Sequence, residues 1–345
     1  MSRYAVTAVI PLGLTLLAFA APPTPADPAP KGYVCHRANG PLVIDGRFDE
    51  PSWAAVPWSD PFGDIEGAKK PAPRFRTRVK MLWDDEALYI AAELEEPHVW
   101  ANLTDHDAVI FQDPDFEVFL DPDADSHLYA ELELNARNTT WDLLLTKPYK
   151  DGGKAVNGWE IIGLKTAVHV NGTLNDPRDS DIGWTVEIRW PWAGLKEISN
   201  TPVPPRDGDQ WRINFSRVEW DITTDGGKYQ KVKGRPEHNW VWSPQGVIDM
   251  HRPERWGYLQ FSTAAPGTVA LKPDPTAAAR DTLHRLYYAQ REYRAKHGKY
   301  AGSADILGLP GLAATVETTS GGFEATLPAG GKRARITHDA RVTVE

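Results

Sequence analysis

Glu117, Glu131, Glu133 and Glu187 sit in segments of alternating polarity and are the carboxylates that glycoside hydrolysis would draw on. That reaction sets two of them about 5–9.5 Å apart across the scissile bond. Glu131 and Glu133 lie two residues apart and share a face of any strand that carries them. No serine elbow, HExxH run or paired His/Cys motif joins them, and the ten histidines are scattered, so spacing offers carboxylates without the rest of an active site. A second acidic group, Asp121, Asp123 and Asp125, alternates through a short loop. Calcium takes such hard oxygen ligands, although the glycine and distal glutamate of an EF-hand are missing, and a merely solvated acidic loop is the competing reading. Residues 239–257 hold Trp240, Trp242, His251, Arg252 and Trp256, a run rich in groups that recognise hydroxyls. Indole faces stack on the apolar faces of sugar rings, yet most of the 14 tryptophans are expected in the core.

The elements that must position these residues are short strands. Val79, Met81 and Trp83 alternate with polar neighbours, Asp84-Asp85-Glu86 turns the chain, and Leu88, Ile90, Ala92 and Leu94 continue the period of two. The same period recurs in Phe116, Val118 and Leu120, in Leu128, Ala130, Leu132 and Leu134, in Trp184, Val186, Ile188 and Trp190, and in Trp211, Ile213 and Phe215. Residues 34–262 therefore read as an antiparallel β-sandwich, mainly β in class. No glycine-rich phosphate loop follows any strand, which disfavours a nucleotide-binding α/β fold.

Both flanks differ in composition. Residues 1–20 read as a secretory signal peptide, with Arg3, an apolar run and Ala18-Phe19-Ala20 as the cleavage pattern, so the chain is expected to be exported, periplasmic or extracellular, with no membrane span after cleavage. Residues 21–33 are a Pro/Ala-rich tether and 263–275 a linker. Residues 276–345 form a small α+β domain: Asp274-Pro275 caps a helix of about five turns that Gly298 stops, and two weakly alternating strand segments follow, Phe323 to Leu327 and Ala334 to Val344. The run Leu286 to Ala301 resembles the helix-to-loop segment of type IV pilin-like globular domains, which implies an envelope protein as a partner for this tail.

The 345 residues carry 38 basic and 47 acidic side chains, a net charge of −9, and no basic stripe suits nucleic acid. The lone Cys35 excludes an intramolecular disulfide, so packing or metal must stabilise the exported fold.

Ile44-Asp45-Gly46-Arg47-Phe48-Asp49-Glu50 with Trp53, Leu82-Trp83-Asp84-Asp85 with Leu88-Tyr89, Asp115 to Asp121, Gly183 to Ile188 with Pro191-Trp192, and Ile213-Asn214-Phe215 follow one another in the order of the family 9 carbohydrate-binding modules and their DOMON-like relatives. The resemblance covers nearly all of residues 34–261. It implies a non-catalytic sandwich that binds poly- or oligosaccharides, serves carbohydrate catabolism and uses calcium in support of the fold. It also implies a sugar clamp of two aromatic positions, which fall here on Phe111 and near Met250, and a binding glutamate matched by Glu117. Glu133 stands near the family's binding arginine, which implies a different sugar; Trp240, Trp242 and Trp256 are the substitutes for the missing clamp indole, with His251 and Arg252 as hydrogen-bonding partners. Some DOMON-like relatives hold b-type haem through methionine with histidine or lysine, and Met250 beside His251 is the one pair of that kind, without a clear second axial ligand.

Overall fold

The computed structural model describes residues 28–345. The expected signal peptide and most of the tether lie outside the described residues. The sandwich strands are β1 (Gly32–Arg37), β2 (Gly63–Asp64), β3 (Thr77–Trp83), β4 (Ala87–Glu95), β5 (Asp115–Asp121), β6 (Tyr129–Asn135), β7 (Thr140–Leu145), β8 (Ala155–Val156), β9 (Lys165–Asn171), β10 (Gly183–Pro191), β11 (Gln210–Glu219), β12 (Ile222–Asp225), β13 (Lys228–Lys231), β14 (His238–Val241) and β15 (Gly257–Ser262). All but the β12–β13 hairpin join one sheet in the order β8-β7-β6-β5-β11-β15-β1-β3-β4-β10-β9, with β14 also on β11 and β2 on β14.

Two halves of this sheet share one apolar core. Phe116, Val118, Leu120, Leu132, Leu134, Ile213 and Phe215 meet Val79, Met81, Trp83, Leu88, Ile90, Trp184, Val186 and Trp190 there. The residues singled out by the period of two are therefore the inward ones, as sequence alternation requires. Leu128 is an exception: it is exposed with φ of 49° in the turn before β6. A further departure is β1, which pairs parallel with both β15 and β3, so the sheet is antiparallel except at this central strand. β1 also begins at Gly32, inside the stretch read as tether.

The opening motif has a structural purpose. Glu187 on β10 accepts hydrogen bonds from the backbone N–H groups of Asp45 (3.0 Å) and Gly46 (2.9 Å) and from Trp53 Nε1 (2.9 Å). Gly46 has φ of 84°, and a Cβ there would lie 2.7 Å from the His169 nitrogen, so glycine alone fits this turn. Asp84 likewise holds the β3–β4 turn by accepting from the N–H groups of Glu86 and Ala87 and from the Tyr89 hydroxyl.

The tail contains helix α2 (Ala277–His297; α1, the one earlier α-helix among the described residues, is Pro51–Ala55) and strands β16 (Thr315–Thr318), β17 (Phe323–Ala329), β18 (Lys332–Thr337) and β19 (Val342–Val344), consecutive in one antiparallel sheet. Leu283, Leu286 and Tyr287 bury one face of α2 against Phe323, Ala325 and Ile336, and Gly298 ends the helix in the left-handed conformation. The helix runs from Ala277 with Thr276 at its cap position, and just ahead of it the Asp274 carboxylate accepts from the Thr276 N–H and hydroxyl.

Candidate functional site

Strands have two faces, and the face opposite the core carries the polar residues. Asp115, Glu117 and Phe119 alternate with the inward Phe116, Val118 and Leu120 along β5. Register then extends the pattern sideways: Ser216 on β11 stands opposite Glu117, Glu117 opposite Glu133 on β6, and Glu133 opposite Trp141 on β7. The next row runs Asn214, Phe119, Glu131 and Leu143. Cross-strand partners share a face, so carboxylates that are distant in sequence converge.

These rows floor a cleft of about 230 Å³ lined by Phe111, Glu117, Phe119, Glu131, Glu133, Trp141, Tyr149, Val218, Glu237, Asn239, Met250 and His251. The cleft thus gathers Phe111, Glu117, Met250 and His251 among the residues chosen from sequence. Phe111 is fixed by its turn: its N–H donates to Glu133 Oε2 (3.0 Å), and its carbonyl accepts from Trp220 Nε1 (3.1 Å). Across from it, the His251 ring shares a hydrogen bond with the Tyr129 hydroxyl (2.9 Å), and the exposed Tyr149 packs edge-on with ring centres 4.5 Å apart.

The remaining four choices do not line the cleft. Trp240 stands opposite Arg217 in register and, with Trp242, joins the main core on the other face of the sheet. Trp242 lies so close over Gly257 that a Cβ there would come within 2.2 Å of the indole. Trp256 is fully buried beneath the cleft wall, against Phe119 and Tyr129, and its Nε1 donates to the Met250 carbonyl (2.9 Å). Arg252 turns away to the Gln245 carbonyl (2.7 Å), Glu254 and Tyr288. Burial corrects the expectation that these tryptophans stack on a ligand: Trp256 shapes the wall from behind. Two further aromatic surfaces of the cleft, Trp141 and Tyr149, were missed because only strand register and the turn after β7 bring them to Glu117.

Electrostatics sets the cleft apart. Burial pushes the Glu117 carboxyl up to about 7, an effect that the Ser216 hydroxyl opposes. Glu131, Glu133 and the adjacent Asp115 are driven well above the usual carboxylate range by burial and by mutual repulsion. Asp115, Glu117 and Glu133 bring carboxylate oxygens within 4.8 Å of one another, and both Asp115 Oδ2 and Trp141 Nε1 are buried without a hydrogen-bond partner. Burial and nearby Lys150 lower His251 to about 3, so its ring is neutral near pH 7. The cleft can accept several hydrogen bonds from hydroxyl or ammonium groups and can offer flat aromatic faces beside them.

The acidic loop after β5 lies elsewhere. Asp121, Asp123 and Asp125 also bring oxygens within 4.8 Å of one another. Asp121 Oδ1 is buried without a partner, Asp123 accepts from Asn200, and Asp125 accepts from Arg341 Nε (2.8 Å) in the tail. No helix among the described residues is long and apolar enough to cross a membrane.

The family described as carbohydrate family 9 binding domain-like matches residues 44–260, well over half of the chain. Among solved structures, a family 9 carbohydrate-binding module from Caldicellulosiruptor kristjanssonii in complex with cellotriose is 18% identical, covers 70% of this chain and 100% of its own, and has a TM-score of 0.44. A putative carbohydrate-binding protein from Bacteroides uniformis ATCC 8492 is also 18% identical, with coverage of 68% and 100% and a TM-score of 0.48. No curated protein matches the chain. By its family match, the chain belongs to the carbohydrate family 9 binding domain-like family.

Proposed function

We propose that this is an exported, non-catalytic sugar-binding protein whose ligand enters the cleft at Glu117. The observation that carries this reading is the convergence of Glu117, Glu131 and Glu133 with Phe111, Trp141 and Tyr149 in one cleft. Carboxylates accept hydrogen bonds from sugar hydroxyls while aromatic faces cover the C–H surfaces of the ring. At about 230 Å³ the space is below the ~300–1,000 Å³ of typical small-molecule pockets, so it takes one sugar ring or chain end and leaves the remainder of an oligosaccharide outside. The acidic lining favours neutral sugars or those with a protonated amine over uronic acids.

Membership of a family described as carbohydrate-binding supports binding rather than hydrolysis. The haem alternative draws no support from the cleft, because Met250 and His251 are adjacent in one wall and cannot ligate opposite faces of an iron. Capture of polysaccharide outside the cytoplasm, in support of its breakdown by other proteins, fits the apolar leader read from residues 1–20. For calcium, Asp121, Asp123 and Asp125 supply an all-oxygen donor set with one unpartnered buried oxygen, the chemistry that ion takes. A fluorescence titration of the mature chain with neutral, amino and acidic oligosaccharides tests the main reading: saturable binding of a neutral or amino sugar is expected, and no response to any sugar would remove it.

A further inference from the structure

A second polar cluster lies at the far side of β7 from the cleft, and none of its members lines that cleft. His106 and Asp107 come from the long connection between β4 and β5, Asp142 from β7, and Glu160 from the connection after β8. One donor atom of each lies within 4.8 Å of the others. His106 Nε2 is 3.5 Å from Asp107 Oδ1, 3.8 Å from Asp142 Oδ1 and 3.2 Å from Glu160 Oε1.

The histidine is oriented from behind. Its Nδ1 lies 3.0 Å from the Thr140 carbonyl, which can only accept, so Nδ1 carries the hydrogen, and in the neutral ring Nε2 then presents its lone pair to three carboxylates. Lone pair against carboxylate is repulsive unless a cation sits between them. Asp142 is 2% exposed; its Oδ2 accepts from the Ile161 N–H (2.6 Å), while its Oδ1, the atom facing His106, is buried with no hydrogen-bond partner. Asp107 Oδ1 is likewise buried without one. The Asp107 backbone is held in the left-handed region at φ 63°, with its N–H on the same Thr140 carbonyl (3.0 Å).

We infer that His106, Asp107, Asp142 and Glu160 form a binding site for a zinc-class divalent cation. Metal–ligand bonds of about 2.0–2.2 Å in tetrahedral array put neighbouring donors roughly 3.4 Å apart, close to the three separations from His106 Nε2. One imidazole among carboxylates suits zinc or its transition-metal neighbours, whereas calcium takes about 6–8 oxygens and no nitrogen. The backbone carbonyl behind Nδ1 is the supporting contact that metal-binding histidines use. Ties among the β4–β5 connection, β7 and the loop after β8 would then brace the edge of the sheet that also holds Trp141.

The test is chelation of the full mature chain followed by titration with Zn²⁺ in a calorimeter and with Co²⁺ as an optical probe. One equivalent is expected, with the intense visible bands of tetrahedral cobalt. His106→Gln, at an exposed position, and Asp142→Asn should each weaken uptake by about 100-fold or more, with circular dichroism unchanged in the histidine variant. Stoichiometric binding that survives His106→Gln would overturn the site, as would a preference for Ca²⁺ over Zn²⁺. A proton is the competing cation: burial pulls the His106 pKa down, but Glu160 and Asp107 more than offset it, leaving it raised. No metal uptake, together with an imidazole that titrates above its usual range by NMR, would assign the charge balance to that proton and reject the metal.

Discussion

The carboxyl of Glu117 sits at about 7 against an ordinary 4.5, so over that interval the folded chain retains a proton that the unfolded chain releases. The resulting contribution to stability is fully present below pH 4.5 and fades as pH rises through 7. Thermal unfolding without sugar should therefore show a midpoint that falls between these values, and Glu117→Gln should have a shallower fall; equal slopes would place the proton elsewhere. Two tryptophans separate ligand contact from support. Trp256→Ala should destabilise the fold by about 3–5 kcal/mol, as removal of a buried indole does. Trp141→Ala should weaken sugar binding with a much smaller loss of stability. Denaturant melts and sugar titrations on both variants check the contrast, which parallel losses would erase.

Alternation along β5 and β6 marked the inward residues, and so by subtraction placed Glu117, Glu131 and Glu133 on the other face. What alternation does not hold is register: nothing local says that Trp141 stands beside Glu133, or that Trp240 and Trp242 fall on the core face despite polar neighbours. Nor does it show the tail helix gripping the cleft walls. Tyr287 and Arg291 of α2 hydrogen-bond Asp151, next to Tyr149, and Tyr288 holds Glu254 (2.5 Å), near His251. The Asp151 and Glu254 side chains are shielded from solvent, so their charge-assisted bonds are worth about 1.5–3 kcal/mol each. Replacing both Tyr287 by Phe and Arg291 by Ala should speed hydrogen exchange in residues 147–153 and lower sugar affinity, while the strands stay protected. Unchanged exchange there would make the tail a passenger.

Across the whole molecule, the sandwich and tail meet around charged loops rather than through one apolar face. Arg280 donates to the Ala124 carbonyl (2.7 Å), and Arg341 and the Val342 N–H both reach Asp125, so the acidic loop is a joint as well as a candidate calcium site. Calcium there should raise the unfolding midpoint of the intact chain. Chelation should lower it, with Asp121→Asn abolishing the difference; a midpoint indifferent to calcium would leave the loop a purely ionic joint. The family assignment was legible because its motifs build turns: Gly46 takes a left-handed conformation that a Cβ would block, and the Asp84 carboxylate holds the β3–β4 turn. The cleft was less so, since its walls come from Phe111, Trp141, Tyr149 and Met250, which are far apart in the chain. The most direct test of its role is calorimetric titration of the wild-type chain and Glu117→Ala, side by side, with the best neutral or amino oligosaccharide. Saturable wild-type binding, weakened by about 1–3 kcal/mol in a folded variant, is the predicted result. Equal affinity in the two would contradict the cleft as the sugar site.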